Sequence, residues 1–173
     1  MTTMFIRLVA RKKERVVKVI FLDIDGVLNS RASAFLQALD GGGSLLKPHA
    51  IHGAILNAII AATQANVVIT SSQRRIRTLA QIVDSLDGVG FSGKFIGMTP
   101  TFNAGPTRGA EIKVWLKDHR NVDGICIIDD NSDMDDLLPY LIQTITEEGL
   151  LATHVLPAIQ ILSKPWKRGE NAY

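Results

Sequence analysis

The chain has 173 residues, of which 46% are hydrophobic and 21% charged, and its formal net charge at pH 7 is +2. These values are typical of one soluble globular domain and exclude a largely disordered or membrane-spanning chain. A single cysteine, Cys126, excludes an internal disulfide and a zinc site built from several thiolates. Because residues 1–10 lack the pattern of a signal peptide, we expect a cytoplasmic protein that does not bind a membrane.

The charged residues are concentrated in three stretches. Six lysines and arginines lie between Arg7 and Lys18, three more lie near the C-terminal end, and six aspartates lie between Asp123 and Asp136. Basic ends attract a polyanion or simply remain solvated, whereas crowded acids repel one another unless a cation compensates them. We expect one domain over residues 1–163 and a basic tail over residues 164–173.

Strands and helices alternate in the first half of the chain. A nearly continuous apolar run at Val16–Leu22 predicts a buried strand. An apolar stripe at helical spacing over Ile51–Ile60, with Pro48 near its first turn, predicts a helix. Asn66–Thr70 then predicts a second strand, and a further apolar stripe over Ile76–Leu86 predicts a second helix.

The second half of the chain continues this alternation and ends in a helix. In chain order, its predicted elements are a strand at Lys94–Ile96, a helix from Thr107, a strand at Gly124–Ile128, a strand at Leu141–Ile145 and a helix over Leu151–Leu162. As an alternative for the acids after Ile128, Ser132 and Asp133 suit the start of a helix through Leu137 and Leu138. Strands that alternate with helices form right-handed βαβ units. We therefore predict the α/β class, with a doubly wound and mainly parallel sheet of five strands.

Two carboxylates follow the first predicted strand. Asp23 and Asp25 are two residues apart, so an extended chain places both side chains on one side, and Gly26 allows the sharp turn that exposes them. In open α/β sheets, ligands bind at the carboxyl ends of the strands. One carboxylate of such a pair can bind a hard cation or attack an electrophile while the other moves a proton. The alternative is a pair of surface acids that cap a turn.

A second acidic group follows the strand at Gly124–Ile128. Asp129, Asp130 and Asp133 lie within five positions, where like charges raise one another's pKa unless a cation is bound. Magnesium prefers one or two carboxylates together with water and phosphate oxygens. Helix capping explains Ser132 and Asp133 equally well, but it leaves Asp129 and Asp130 unexplained.

Two further segments carry candidate groups for an anion. Thr70, Ser71, Ser72 and Arg74 follow the second predicted strand, where hydroxyls, amides at a helix start and an arginine can cradle a phosphate; serines and threonines there can also simply cap the helix.

The second of these segments surrounds the helix start near Thr107. Arg108 lies where a cation opposes the helix dipole, so its position favours an anionic partner opposite, and Lys113 is its rival one turn later. Either residue can also be a solvated surface charge.

Together these segments resemble the haloacid dehalogenase (HAD) superfamily of phosphatases over roughly Val16 to Leu162. More narrowly, they are similar to the small HAD domain of RNA-repair proteins, which also occurs alone in phages and bacteria, and to the 3′-phosphatase half of phage polynucleotide kinase. The segments that carry the resemblance are Phe21-Leu22-Asp23-Ile24-Asp25-Gly26-Val27-Leu28-Asn29, Thr70-Ser71-Ser72-Gln73-Arg74, the run from Arg108 to Leu116, Ile128-Asp129-Asp130 and Gly149-Leu150.

The resemblance implies a mechanism with an aspartyl-phosphate intermediate. Asp23 attacks phosphorus, and Asp25 first protonates the leaving oxygen and then deprotonates the hydrolytic water. Arg108 or Lys113 balances the negative charge, and Thr70 holds phosphoryl oxygens. The implied Mg²⁺ ligands are Asp23, the Asp25 main-chain carbonyl and Asp130, with Asp129 or Asp133 in support through water. The candidate substrate contacts are Gly26, Ser71, Ser72 and Arg74.

The spacing of these segments leaves no room for a large cap domain. About 44 residues separate Asp25 from Thr70, and about 37 separate Thr70 from Arg108. An open site admits a large substrate such as a nucleic-acid 3′-phosphate end, although a homo-oligomer partner is another source of a lid. The alternatives are the same chemistry on a free nucleotide or small phosphometabolite, and a HAD-like nucleotide-binding protein without catalytic activity.

Overall fold

Five strands form one sheet in which every pairing between neighbours is parallel. The computed structural model describes residues 16–39, 48–102 and 105–166. In chain order the strands are β1 (Val17–Leu22), β2 (Asn66–Ile69), β3 (Phe95–Met98), β4 (Val122–Asp129) and β5 (Leu141–Gln143). They lie in the order β3-β2-β1-β4-β5, so the chain switches its direction of winding between β1 and β4. The predicted α/β class is confirmed, and the sheet is wholly parallel.

Apolar side chains cover both faces of the sheet. In β1, Ile20 and Leu22 join one buried cluster, whereas Val19 and Phe21 join the other. This alternation follows from the period of two residues in a strand. Because a parallel sheet is buried on both faces, its central strand is the nearly unbroken apolar run from which the sequence predicted it.

Helices pack on both faces, as the doubly wound prediction requires. The first cluster contains side chains of α2, α3 and α5, and the second contains side chains of α4. The α-helices are α1 (Arg31–Leu39), α2 (Ala50–Thr63), α3 (Leu79–Leu86), α4 (Arg108–Asp118) and α5 (Val155–Leu162). Short 3₁₀ helices lie at Ser72–Arg75, Asp87–Val89, Asp135–Tyr140 and Ala152–His154.

The sequence pattern did not predict α1. Its apolar residues Phe35, Leu36 and Leu39 are exposed, and Ser33 is its buried residue. A helix that directs no apolar stripe toward the core lacks the periodicity on which a sequence-based prediction depends.

The second predicted helix begins later than its apolar stripe suggested. Ile76 is 87% exposed, and α3 starts only at Leu79. The Thr78 hydroxyl accepts a hydrogen bond from the Gln81 amide, and the Gln81 side chain accepts one from the Thr78 amide. This capping box fixes the start of the helix.

The helix predicted from Ser132 is a 3₁₀ helix that starts at Asp135 and contains Pro139. Ser132 and Asp133 precede it and do not cap it, so the capping alternative for these two residues was wrong. The Asp133 carboxylate instead accepts a hydrogen bond from the Arg108 amide at 3.2 Å, beside the Thr107 hydroxyl that caps α4. Asp133 therefore contacts the start of α4, which is distant in sequence, and not the helix that follows it in the chain.

The connections at the carboxyl edge of the sheet contain no inserted domain in the part of the chain that the structure describes. α1 and α2 connect β1 to β2, and two 3₁₀ helices and α3 connect β2 to β3. Among the helices of the described residues, none combines the length and apolar character that crossing a bilayer requires. Trp166, at the start of the predicted tail, packs on Tyr140 with 5.0 Å between ring centroids; residues 1–15 and 167–173 lie outside the described residues.

Candidate active site

Three carboxylates from two strand ends meet at the switch point of the sheet. Asp23 directly follows β1, and Asp129 and Asp130 lie at the end of β4. One oxygen of each lies within 4.8 Å of the others, and Asp23 and Asp129 are buried. The register of the sheet causes this meeting, because Leu22 of β1 pairs with Ile128 of β4. Asp133, a predicted ligand through water, is not part of this group.

Burial makes the charge of this cluster costly. The pKa of Asp129 is raised to about 7, mainly by desolvation and then by the nearby Asp23, while Arg108 opposes the shift. The pKa of Asp23 is also raised, mainly by burial, against the lowering effects of Arg108 and of the Ile24 amide. A bound cation would stabilise the ionised forms of these two adjacent carboxylates, which burial disfavours.

Arg108 supplies the one cationic side chain that the described residues place against this cluster. Its guanidinium nitrogen lies 3.4 Å from an Asp129 oxygen and 3.8 Å from an Asp23 oxygen, and it also donates to the Thr70 carbonyl. The position at the start of α4, which the Thr107 cap fixes, directs the arginine to the strand ends.

Lys113, the rival for this role, lies elsewhere. Its ammonium is 2.8 Å from Asp136 and 3.3 Å from Asp135, and these contacts raise its pKa. The geometry therefore favours Arg108 as the cation that balances the charge of Asp23.

Gly26 forms the turn that follows Asp25, and this turn lies against Asp130 of the second acidic segment. Its φ of +78° is a left-handed conformation that other residues rarely adopt. A Cβ atom there would lie 2.2 Å from an Asp130 carboxylate oxygen, and the Gly26 carbonyl accepts a hydrogen bond from Thr144. Glycine is required both for the turn and for the close approach of Asp130.

Asp25 is exposed, in contrast to Asp23. The Asn29 side-chain amide donates to one of its oxygens at 2.8 Å, and the Gln73 side-chain amide donates to both at 3.2 Å. Asp25 is thus held beside the buried cluster while remaining accessible to a reactant.

The segment after β2 borders the same edge of the sheet. The Thr70 hydroxyl is fully buried and has no hydrogen-bond partner among the described residues, and Ser71 is buried with a side chain that bonds to Asp23. Ser72 is exposed at the start of the 3₁₀ helix. An unpartnered buried hydroxyl of this kind is costly unless a ligand bonds to it, and the contact between Thr70 and a phosphoryl oxygen stays a prediction.

Arg74, which we predicted as a substrate contact, instead binds other parts of the protein. Its side chain is 2% exposed, and protein acceptors engage all five of its N–H groups. They are the carbonyls of Thr70, Ser71, Thr99 and Pro100 and the carboxylate of Glu111. Arg74 joins the Thr70 segment to α4 and offers no free donor to a substrate.

A cavity of about 370 Å³ lies beside Asp25. Gln73, which bonds to Asp25, and Ile24, which follows Asp23, both line it. Its other lining residues are Pro48, Arg77, Asp84, Ser85 and Gly88. The cavity thus adjoins the acidic pair through Ile24 and Gln73, and neither Asp23 nor Asp25 lines it.

The cluster fits a divalent cation by its donor atoms. One Asp129 oxygen is buried and has no hydrogen-bond partner among the described residues, although Arg108 lies 3.4 Å away. Carboxylate oxygens are the ligands that hard cations prefer. Asp23, Asp129 and Asp130 are therefore the side chains that would hold a metal ion, which would neutralise charge on a bound phosphoryl group.

Several residues that shape the site escaped prediction from sequence. Glu111 neutralises Arg74, Asn29 and Gln73 hold Asp25, and Thr146 donates to an Asp130 oxygen at 2.7 Å. Thr146 directly follows the last predicted strand, and this position at a strand end is the sequence feature from which its role in the site could have been predicted. For Glu111, Asn29 and Gln73 the signal was only their presence inside the candidate segments.

Comparison with known proteins supplies the family. No curated protein and no solved structure is similar enough to this chain to count as a match. A family model does match, over residues 19–155, and this range includes the strand ends and all three clustered carboxylates. Since the match covers most of the chain and confirms the resemblance, the chain belongs to the family of HAD domains in Swiss Army Knife RNA repair proteins.

Proposed function

We propose that the protein is a Mg²⁺-dependent phosphomonoesterase that removes phosphate from nucleic-acid 3′ ends. The observation that carries the proposal is the convergence of Asp23, Asp129 and Arg108 at one strand edge beside the accessible Asp25. Family membership supports phosphatase-type chemistry in RNA repair. The connections, which contain no inserted cap in the described residues, favour a substrate too large to be enclosed.

The reaction has two steps on Asp23. A carboxylate oxygen of Asp23 forms a bond to phosphorus, the bond from phosphorus to the leaving oxygen breaks, and Asp25 gives that oxygen a proton. Asp25 then takes a proton from the water that attacks phosphorus, which releases inorganic phosphate and restores the Asp23 carboxylate. This use of one residue as acid and then as base is general acid–base catalysis combined with a covalent intermediate.

The remaining side chains stabilise charge. Arg108, 3.8 Å from Asp23, balances the negative charge that gathers as phosphate approaches the carboxylate. The unpartnered Thr70 hydroxyl donates to a phosphoryl oxygen. Asp23, Asp129 and Asp130 would hold Mg²⁺, which supplies further charge neutralisation when bound. The predicted ligand role of the Asp25 carbonyl completes this proposal.

The test compares phosphate release from a 3′-phosphorylated oligonucleotide, its 5′-phosphorylated counterpart and a mononucleotide, with and without Mg²⁺. We expect Mg²⁺-dependent release that is fastest from the 3′-phosphorylated strand. Faster turnover of the mononucleotide would assign the protein to small phosphate esters, and binding without turnover would identify a nucleotide-binding protein.

The matched variants are Asp23→Asn and Asp123→Asn. Asp123 is an exposed aspartate at the opposite end of β4, so its replacement should leave activity unchanged. Asp23→Asn should lower turnover by roughly a thousandfold or more. Because burial already disfavours the Asp23 charge, this variant should unfold no more easily than the wild type in the absence of Mg²⁺. Retained turnover in Asp23→Asn would exclude Asp23 as the nucleophile.

A further inference from the structure

Two side-chain amides from different parts of the chain hold the Asp25 carboxylate. The Asn29 amide nitrogen donates to Oδ1 at 2.8 Å, and Asn29 also anchors the turn by accepting a hydrogen bond from the Gly26 amide at 3.1 Å. The Gln73 amide nitrogen lies 3.2 Å from both Oδ1 and Oδ2. An exposed carboxylate without such donors would turn freely about its side-chain bonds.

The orientation of the Gln73 amide is itself determined by Arg77. An Arg77 guanidinium nitrogen donates to the Gln73 Oε1 atom at 2.7 Å, and a second one donates to the Gln81 carbonyl at 2.6 Å. A guanidinium only donates hydrogen bonds, so the Gln73 oxygen must face Arg77. The Gln73 NH₂ group is therefore left to face Asp25.

We propose that Gln73 is a positioning residue that directs the acid function of Asp25, and that Arg77 fixes Gln73 for this task. The inference rests on the proposed function, in which Asp25 protonates the leaving oxygen. Oδ1 accepts hydrogen bonds from two donors, Asn29 and Gln73, whereas Oδ2 accepts one, from Gln73, among the described residues. Oδ1 is therefore the oxygen that these donors satisfy better without a proton. Oδ2 is then the oxygen that carries the proton to the leaving group.

Gln73 also lines the cavity beside Asp25, so a change at this position can alter substrate binding as well as proton transfer. The leaving group separates these effects. A 3′-hydroxyl leaves as a strongly basic alkoxide unless it is protonated, whereas dinitrophenolate is stable without a proton. A misplaced Asp25 carboxyl therefore slows phosphate removal from a 3′ end but has little effect on the cleavage of dinitrophenyl phosphate.

The experiment measures kcat/KM for a 3′-phosphorylated oligonucleotide and for dinitrophenyl phosphate. This parameter includes the transfer of phosphate to Asp23 but excludes the later hydrolysis, in which Asp25 acts as a base on both substrates. Gln73→Met removes the hydrogen bonds that Gln73 donates to Asp25 and the one that it accepts from Arg77. Gln73→Glu keeps an acceptor for Arg77 but presents a carboxylate to Asp25. Gln160→Met makes the same chemical change at an exposed position of α5.

We expect Gln73→Met and Gln73→Glu to lower kcat/KM for the oligonucleotide by about 10- to 100-fold, and for dinitrophenyl phosphate by less than about threefold. Gln160→Met should leave both values unchanged. Equal losses on the two substrates, or no loss on either, would overturn the inference. Thermal unfolding of each variant checks that it is folded.

Asp25→Asn, measured in parallel, separates this inference from the function on which it rests. If Asp25→Asn shows the dependence on leaving group and the Gln73 variants do not, only the role of Gln73 is wrong. If Asp25→Asn slows both substrates equally, Asp25 is not the acid, and both the acid step of the proposed mechanism and the role of Gln73 are wrong.

Discussion

At the scale of single residues, Gly26 shows how the backbone brings the two acidic segments together. The residue combines a left-handed φ with a distance of only 2.2 Å between the position that a Cβ atom would occupy and the Asp130 carboxylate. Gly90 shares the left-handed backbone, with a φ of +65°, but no atom lies within 4 Å of the corresponding Cβ position. The same substitution at the two glycines therefore distinguishes the cost of backbone strain, which both share, from the steric conflict with Asp130, which only Gly26 has.

We predict that Gly26→Ala weakens Mg²⁺ binding by roughly tenfold or more, since displacement of a group that orients a ligand typically has that effect. Gly90→Ala should cost about 1 kcal/mol of unfolding free energy from strain alone, and should leave Mg²⁺ affinity unchanged. Isothermal titration with Mg²⁺ and urea unfolding measure the two quantities. Equal Mg²⁺ affinities in the two variants would show that Asp130 is not a ligand held by this turn.

His52 is a buried residue outside the active site whose protonation should affect stability. Its Nδ1 atom donates to the Leu150 carbonyl at 2.8 Å, and its Nε2 atom lies 3.2 Å from the Ser30 hydroxyl. Burial lowers its pKa below the usual 6.5, and the nearby His49 ring lowers it slightly further. The folded protein therefore favours neutral His52, whereas the unfolded chain takes up a proton near pH 6.5.

It follows that the stability contributed by His52 is complete above about pH 6.5 and is lost as pH falls through the lowered pKa of the folded state. His52→Asn retains an amide donor for Leu150 but does not titrate, so its unfolding free energy should change less between pH 7.5 and pH 5 than that of the wild type. Urea unfolding across this range makes the comparison. Parallel curves for the two proteins would mean that His52 does not titrate differently in the folded state.

At the scale of secondary-structure elements, the buried ion pair between Arg74 and Glu111 joins the segment after β2 to α4. Both side chains are almost fully buried, at 2% and 5% exposure. Loss of one partner leaves the other charge buried without compensation, which typically costs about 3–5 kcal/mol. Since Arg74 also holds the Thr70 and Ser71 carbonyls, the same loss should disturb the segment that faces the phosphate.

We predict that Glu111→Ala lowers the unfolding free energy by about 3 kcal/mol or more. Glu147→Ala breaks the exposed pair with Arg31, whose side chains are 78% and 58% exposed, and should cost less than about 1 kcal/mol. The double variant Arg74→Met/Glu111→Leu should recover part of the loss, because it leaves no unpaired charge. Equal costs for the two glutamate variants would contradict the structural role of Arg74.

The sequence predicts an element well when one physical factor, such as burial on both sheet faces, determines its composition. The run Val-Ile-Phe-Leu before Asp23 is buried on both sheet faces, so its composition alone indicates β1 and the place of the acid after it. The role of Arg74 was not predictable in this way. Its partner Glu111 is 37 positions away, and only the packing of α4 against the sheet determines that they meet. Tertiary contacts of this kind have no local signal.

At the scale of the whole molecule, the charges around the open strand edge determine how a polyanion would bind. Arg75 follows Arg74 in the 3₁₀ helix, and its side chain is 50% exposed, although one nitrogen donates to the Phe102 carbonyl and another lies 3.9 Å from a Glu111 carboxylate oxygen. An exposed cation beside the site can contact a phosphate of the strand that is not hydrolysed. A mononucleotide has no such additional phosphate.

Salt dependence follows from this difference. For each strand phosphate that a cation neutralises, the logarithm of affinity falls with the logarithm of salt concentration by a slope of about −0.7 for single strands. We predict that, between about 50 and about 200 mM NaCl, kcat/KM for the 3′-phosphorylated oligonucleotide falls more steeply than that for a 3′-mononucleotide. Arg75→Gln should reduce the excess slope by about 0.7, whereas Arg120→Gln, which removes an exposed arginine before β4, should not. If both substrates respond equally to salt, the strand contacts no cation beyond the reacting phosphate, and a small phosphate ester becomes the better substrate assignment.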